Sequence, residues 1–376
     1  MIKFFSKMRD RKPKCSPHKV LFLTTNDFGF GGSEDLWTLT ALRMANMGYQ
    51  VGISLRGWNP EPQVIKSLAA AGCAVFRRSF PPNKKDYFVF QRFRPQLVVI
   101  SQGSNFESIN WMRVMNSFQQ KYINIIHCVH EACWPGVDDA LIDEANFLYS
   151  KSMKLFFVSE GNLNLHQKMC GVSLNNAEIL RNPFKVPYNA VNSYPSVTPV
   201  YNVAFVGRLE CFHKGLDLLL EVLKQEKWKR RNIHFNIYGQ GPHKHLLERL
   251  QEKWSITNIT FHGHMDDIVS IWSHNHALIQ PSRLEGLPLT VVEAMLCNRL
   301  AIVTDVAGHK EVVDDGETGF LAKAPAPEFI DEALEKAWSR RIDWQQMGLK
   351  AGIKIKTLVP NDPVGLFIDK ISSLMM

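Results

Sequence analysis

Nine short apolar runs, each ending near a small or polar residue, constrain this chain more than any other feature of its sequence. Val20–Thr24, Val51–Leu55, Leu97–Ser101, Ile123–His127 and Leu155–Ser159 lie in the first half. Tyr201–Val206, Ile233–Tyr238, Ala277–Gln280 and Ala301–Thr304 lie in the second. Their apolar residues follow one another instead of alternating with polar ones. Both faces of each strand must then be covered, which predicts parallel sheets sandwiched by helices. Trp37–Met47 and Gly215–Leu223 carry the intervening helical spacing. The two series are separated by Asn182–Pro199, with four prolines and polar filler, which reads as a linker. The expectation is α/β throughout: a basic tail over 1–17, a Rossmann-like domain over 18–185, a linker over 186–200 and a second Rossmann-like domain over 201–359. Their strand ends face one cleft. An amphipathic stretch over 360–376, set off by Pro360, is free to pack back on the first domain.

A chain of 376 residues suits two medium domains. Its formal charge of +8 is spread out, not gathered into a stripe with interleaved aromatics, so nucleic acid is not an expected partner. The run Lys224–Arg231 reads as a solvated helix end. Lys3, Lys7, Arg9, Arg11, Lys12 and Lys14 beside Ile2, Phe4 and Phe5 leave two readings open: a loose tail, or contact with an anionic membrane leaflet. No apolar stretch is long enough to span a bilayer, and no signal peptide is apparent. Seven cysteines without CxxC pairs point to reduced thiols, hence a cytoplasmic location, with peripheral contact at the inner face of the plasma membrane as the finer expectation.

The chemistry concentrates in Pro281–Met295. Pro288 stands where a helix begins, so the N–H groups of Gly286 and Leu287 face its positive end and form an anion site. Glu285 and Glu293, eight residues apart, would repel phosphate but can bind hydroxyls of a sugar and a ribose. Arg208 and Lys214, each beside a glycine (Gly207, Gly215), offer two cations just past a buried strand. No Asp-x-Asp is present to hold a metal. After the first strand, Gly31 and Gly32 precede Glu34 in a loop whose backbone can approach a ligand closely. The loop is not G-x-G-x-x-G, and Arg56 stands where a dinucleotide enzyme keeps an acid, which disfavours a dehydrogenase. His130-Glu131 follows the fourth run, and His127 at the end of that run competes with His130 as the candidate histidine of the cleft. Trp58, Trp111 and Trp134 are candidates for stacking on sugar, although buried aromatics are commoner.

Taken in order, these segments resemble the large retaining glycosyltransferase family with the GT-B fold, family 4. Glu285–Glu293 is similar to its E-x7-E motif, and Gly207-Arg208 with Lys214-Gly215 to its donor-diphosphate clamp. Gly239-Gln-Gly241-Pro242 resembles its glycine turn. Phe261–His264 is similar to the segment whose backbone lies against the nucleotide base. Val306–Leu321 resembles its glycine-rich stretch, and Gly31-Gly32-Ser-Glu34 its first-domain loop. The resemblance implies a nucleotide-diphosphate sugar as co-substrate, with no metal and no further cofactor. Arg208, Lys214, Glu285 and His130 become the catalytic candidates. Gly31, Gly32, Gly207, Gly239, Gly241, His264, Gly286, Leu287 and Glu293 would line the donor site, and Glu34, His130 and Glu131 the acceptor side. Ser159 and Asn182-Pro183 match residues near the family's hinge and interdomain crossing. The implied reaction moves a hexosyl group, with retention, to a hydroxyl of a glycan or lipid-linked acceptor, in surface polysaccharide or glycolipid synthesis. A nucleotide-sugar epimerase of the same architecture and a non-catalytic binding protein are the alternatives.

Overall fold

The computed structural model of the protein describes residues 18–26, 31–57, 61–79, 84–132, 137–190, 193–196 and 199–376. The basic tail, Gly29, Trp58 and Trp134 lie outside them. Two wholly parallel sheets form the framework. The first joins β1 (Lys19–Thr24), β2 (Gln50–Arg56), β3 (Ala74–Arg78), β4 (Leu97–Ser104), β5 (Tyr122–Cys128), β6 (Leu155–Phe157) and β7 (Ala177–Ile179) in the order 3-2-1-4-5-6-7. The second joins β8 (Tyr201–Val206), β9 (Ile233–Tyr238), β10 (Ile259–Gly263), β11 (Ala277–Gln280), β12 (Leu300–Thr304) and β13 (Gly319–Ala322) in the order 10-9-8-11-12-13. Each order reverses once, between β1 and β4 and between β8 and β11. Those are the points where such sheets open a crevice for ligands.

Each central strand feeds two cores. Val20 and Phe22 pack into one apolar cluster while Leu21 and Leu23 pack into another. Val203 and Phe205 do the same opposite Ala204 and Val206. The alternation of side chains across a strand thus explains why the sequence runs are continuous. Four strands lie outside the nine runs: β3, β7, β10 and β13. They are the four sheet edges. An edge strand is half-covered and needs no unbroken apolar run, as Phe76-Arg77-Arg78 and Thr260-Phe261-His262 show.

The chain passes between domains twice. At the first crossing Arg181 donates to the carbonyl of Val158 (2.7 Å) and to Glu311 Oε2 (3.0 Å). Glu311 Oε1 accepts the N–H of Gly161 (2.6 Å). The fully buried guanidinium of Arg299 donates to the carbonyls of Ser193, Trp272 and Asn275, which fixes the linker to the second domain. At the second crossing the helix Pro363–Met375, N-capped by Asp362, returns to the first domain. Phe367, Ile368 and Ile371 are buried in the same core as Val20 and Leu36, each contributing about 1.5–3 kcal/mol of apolar burial. Asp362 pairs with Arg43 (2.5 Å) and Lys370 with Glu178 (2.6 Å). The Tyr188 hydroxyl ties the two crossings together by donating to the carbonyls of Lys356 (2.8 Å) and Val359 (3.3 Å).

Candidate functional site

Lys214 is placed by a one-turn helix, Cys211–Lys214, built for that purpose. Glu210 caps its start by accepting the N–H groups of Phe212 (2.7 Å) and His213 (2.9 Å). Gly215 ends it with φ of +64°, and a side chain there would stand 2.0 Å from the carbonyl oxygen of Pro281. This loop follows β8 and interlocks with the loop after β11. His213 accepts the N–H groups of Arg283 (2.7 Å) and Leu284 (3.2 Å), and Arg283 grips Asp217 through two hydrogen bonds of 2.8 and 2.6 Å.

The interlock brings Lys214 Nζ to Glu285 Oε1 at 2.7 Å. Ser282 (2.7 Å) and Gln280 (3.1 Å) donate to the same oxygen. Burial pushes the Glu285 carboxyl up, but Lys214, His309 and Ser282 together hold it below the ordinary value, so it is ionised. Oε2 has no partner among the described residues. Glu285 is 8% exposed and Lys214 23%, so the pair is sheltered yet reachable. Arg208 is exposed on the loop after β8. Gly207, Gly239 and Gly241 let the loops after β8 and β9 nest. A side chain on Gly239 would stand 1.8 Å from the carbonyl oxygen of Gly207, and one on Gly241 2.4 Å from that of Leu209.

The first domain closes against this loop. Cys128, at the end of β5, places Sγ 3.6 Å from the Glu285 carbonyl. A Cβ on Gly286 would stand 2.1 Å from the carbonyl oxygen of His127, and one on Gly32 2.9 Å from Leu289. Leu287 is buried, and Pro288 caps the helix Leu289–Leu296. His130 lies on the loop after β5. Burial lowers its basicity, His213 across the cleft lowers it further and Glu107 counters both. His127 meets Ser101 (3.1 Å) and Asn182 (3.5 Å), and burial depresses its pKa to about 4, which makes it a neutral structural residue.

One sequence reading changes. Glu34, read as an acceptor-side group, is 2% exposed, with both oxygens engaged by Thr24, Asn26, Ser33 and Trp37. It ties the end of β1 to the helix Gly32–Asn46 and has nothing left for a ligand. Glu131 stands on the surface, 3.9 Å from Lys168. The His264 side chain is exposed beside Asp266 (3.1 Å). Trp111 is a core residue packed against the tilted ring of Tyr87 and the Arg78 guanidinium. The sequence reading also missed His309. It is fully buried, its ring donates to the Thr304 carbonyl (2.7 Å), and its Nε2 has no partner among the described residues. The charges of Glu285 and Lys214 both act on it, in opposite senses. Only its place one residue after Gly308, in the glycine-rich stretch, could have drawn attention to it.

Glu293 is 3% exposed and accepts the N–H of Lys185 (2.9 Å) at the first crossing. Burial raises its pKa to about 7, while the Lys185 N–H and ammonium oppose the shift. An acid with a raised folded pKa loses stability as pH rises from its unfolded to its folded value, here from about 4.5 to about 7. Glu293→Gln keeps the accepting oxygen and removes the ionisation. Above pH 7 the variant should be more stable in urea titrations, by on the order of 3 kcal/mol, with the difference gone below pH 4.5.

Two parallel-sheet domains sharing a cleft, with a cation–carboxylate pair at the second sheet's switch point, define the GT-B class. Residues 201–339 match the family described as Glycosyl transferases group 1. An uncharacterized 41.2 kDa protein of the Klebsiella pneumoniae cps region is 32% identical over 161 residues, which cover 39% of this chain and 43% of that protein. The chain thus spans less than half the length of the first curated relatives it matches. An uncharacterized glycosyltransferase of Haemophilus influenzae is 25% identical over 81% of this chain and 86% of its own. Anabaena HepE, solved in complex with UDP, superposes with a TM-score of 0.74 at 14% identity, covering 94% of this chain and 99% of its own. The chain has the GT-B fold, and its second domain carries the match to Glycosyl transferases group 1. No helix among the described residues is long and apolar enough to cross a membrane.

Proposed function

We propose that the protein transfers a hexosyl group from a nucleotide-diphosphate sugar to a hydroxyl of a glycan or lipid-linked acceptor, with retention, as a family 4 enzyme. The observation that carries this reading is the Lys214·Glu285 pair. Three donors occupy Oε1 and leave Oε2 to accept a sugar hydroxyl, while Lys214 stands beside it for the diphosphate. Arg208 supplies the second cation, and the two stabilise the charge that gathers on the leaving diphosphate. No metal is required in this scheme. Retention by double displacement needs a carboxylate nucleophile under the anomeric carbon. In the proposed reaction the departing diphosphate oxygen instead takes the acceptor's proton on the same face. Glu293, on the helix that follows the Glu285 loop, serves the ribose end of the donor site, and closure of the two domains excludes water. The UDP bound by HepE supports a uridine donor here. Cytoplasmic action beside the inner membrane face completes the proposal.

The test is thermal stabilisation by UDP-glucose, UDP-N-acetylglucosamine and GDP-mannose, with release of free sugar followed in parallel. A cognate donor at a hundred times its Kd should add about 2.7 kcal/mol of stability. No stabilisation and no sugar release from any nucleotide sugar would overturn the reading.

A further inference from the structure

The first sheet has a switch point of its own, between β1 and β4, and one carboxylate is built into it. Thr25, just past β1, donates its hydroxyl to Glu107 Oε2 (2.8 Å). Gly103, near the end of β4, donates its N–H to the same oxygen (3.0 Å), and Ser104 donates its hydroxyl to Oε1 (2.8 Å). The N–H of Thr25 also bonds the carbonyl of Ser101 (2.9 Å), so the ends of β1 and β4 are locked beneath the carboxylate. Glu107 is nonetheless exposed. An ionised carboxylate has about four lone-pair sites. Oε2 has two donors and is full; Oε1 has one, and nothing else among the described residues fills the other.

Glu107 lies near the transfer site. Ser104 pairs with Cys128 in the register of β4 and β5, so the two lie one strand spacing apart, about 4.8 Å. Cys128 in turn touches the carbonyl of Glu285. His130 feels both Glu107 from its own domain and His213 from the other. Glu107 thus lies on the opposite wall of the cleft from the Lys214·Glu285 pair, at the position where a doubly wound sheet receives its ligand.

We infer that Glu107 is an acceptor-binding residue: its Oε1 accepts a hydrogen bond from one hydroxyl of a neutral sugar unit on the acceptor and sets the neighbouring hydroxyl for transfer. The inference rests on the proposed transferase reading. A fixed negative charge with a single open lone pair selects a hydroxyl and repels a phosphate at this position. It engages one hydrogen bond and carries no proton in the reaction.

Kinetics on the full chain separate the two claims. Methyl glycosides of neutral hexoses and glycerol 3-phosphate serve as acceptor probes, and release of sugar from the donor reports the donor half alone. Glu107→Gln should raise the acceptor KM at least about tenfold, the scale of one hydrogen bond to a charged group. Donor KM and donor hydrolysis should stay within about twofold, a split that a merely structural role would not give. On the unaltered enzyme one monodeoxy glycoside should lose a similar factor, and the two losses should not add. An unchanged acceptor KM in Glu107→Gln, preference for glycerol 3-phosphate, or donor hydrolysis without transfer to any neutral glycoside would each overturn the assignment while leaving the donor reading intact. If the unaltered protein neither binds nor hydrolyses any donor, the transferase reading fails and this inference fails with it. Should Glu107→Gln lose donor binding through misfolding, the deoxy series decides alone.

Discussion

Lys214→Ala should lower transfer turnover by at least about a hundredfold, the scale of losing one group that stabilises an oxyanion. Lys214 Nζ lies 2.7 Å from Glu285, held there by a capped turn and a positive-φ glycine. The ammonium is therefore in place before the diphosphate begins to leave. Its removal strips charge from the transition state and also leaves Glu285 buried with only Ser282 and Gln280 as donors. Breaking such a pair destabilises by about 3–5 kcal/mol when the site is fully buried and by less here, where Lys214 is partly exposed. Turnover must accordingly be measured per folded molecule, with a melting curve alongside. A per-molecule rate within a few-fold of the unaltered enzyme would remove Lys214 from the chemistry.

Gly286→Ala should cost transfer nearly as much by a different route. The added methyl would stand 2.1 Å from the His127 carbonyl oxygen and 2.8 Å from Val158, both in the first domain. Backbone cannot yield as a flexible side chain can, so the donor loop and the first domain must separate by an ångström or more. Displacement on that scale costs roughly a hundredfold in rate when reacting groups are held on opposite walls. The Lys214·Glu285 pair lies within the second domain and should survive. Donor affinity should hold while kcat for transfer falls; unchanged transfer would show that the contact is not needed during turnover.

The central strands, the two-domain division and the loops that carry Lys214 and Glu285 were legible because each depends on local pattern. Continuous apolar runs mark strands covered on both faces, and Glu285, Lys214 and Gly215 lie within two segments of fixed spacing. The edge strands were hidden because half-covered strands such as β3 and β10 read like loops. Glu34 misled because a glycine-rich loop invites a ligand-binding reading, while its actual partners, Thr24 and Trp37, assemble only when the helix folds onto β1. Glu107 gave no signal at all. Its meaning comes from Thr25, about eighty positions away, across a strand pairing that no local spacing encodes.

The doubled crossing has a mechanical consequence. A single tether between two bodies acts as a universal joint, free to swing and to twist. Here Tyr188 fastens the returning segment at Lys356 and Val359 to the outgoing one, and the last helix anchors that return in the first domain. Two pins side by side make a door hinge: torsion about the crossing is resisted and one swing remains. The wall that carries Glu107 and the wall that carries Lys214 can then part and meet along a single repeatable arc.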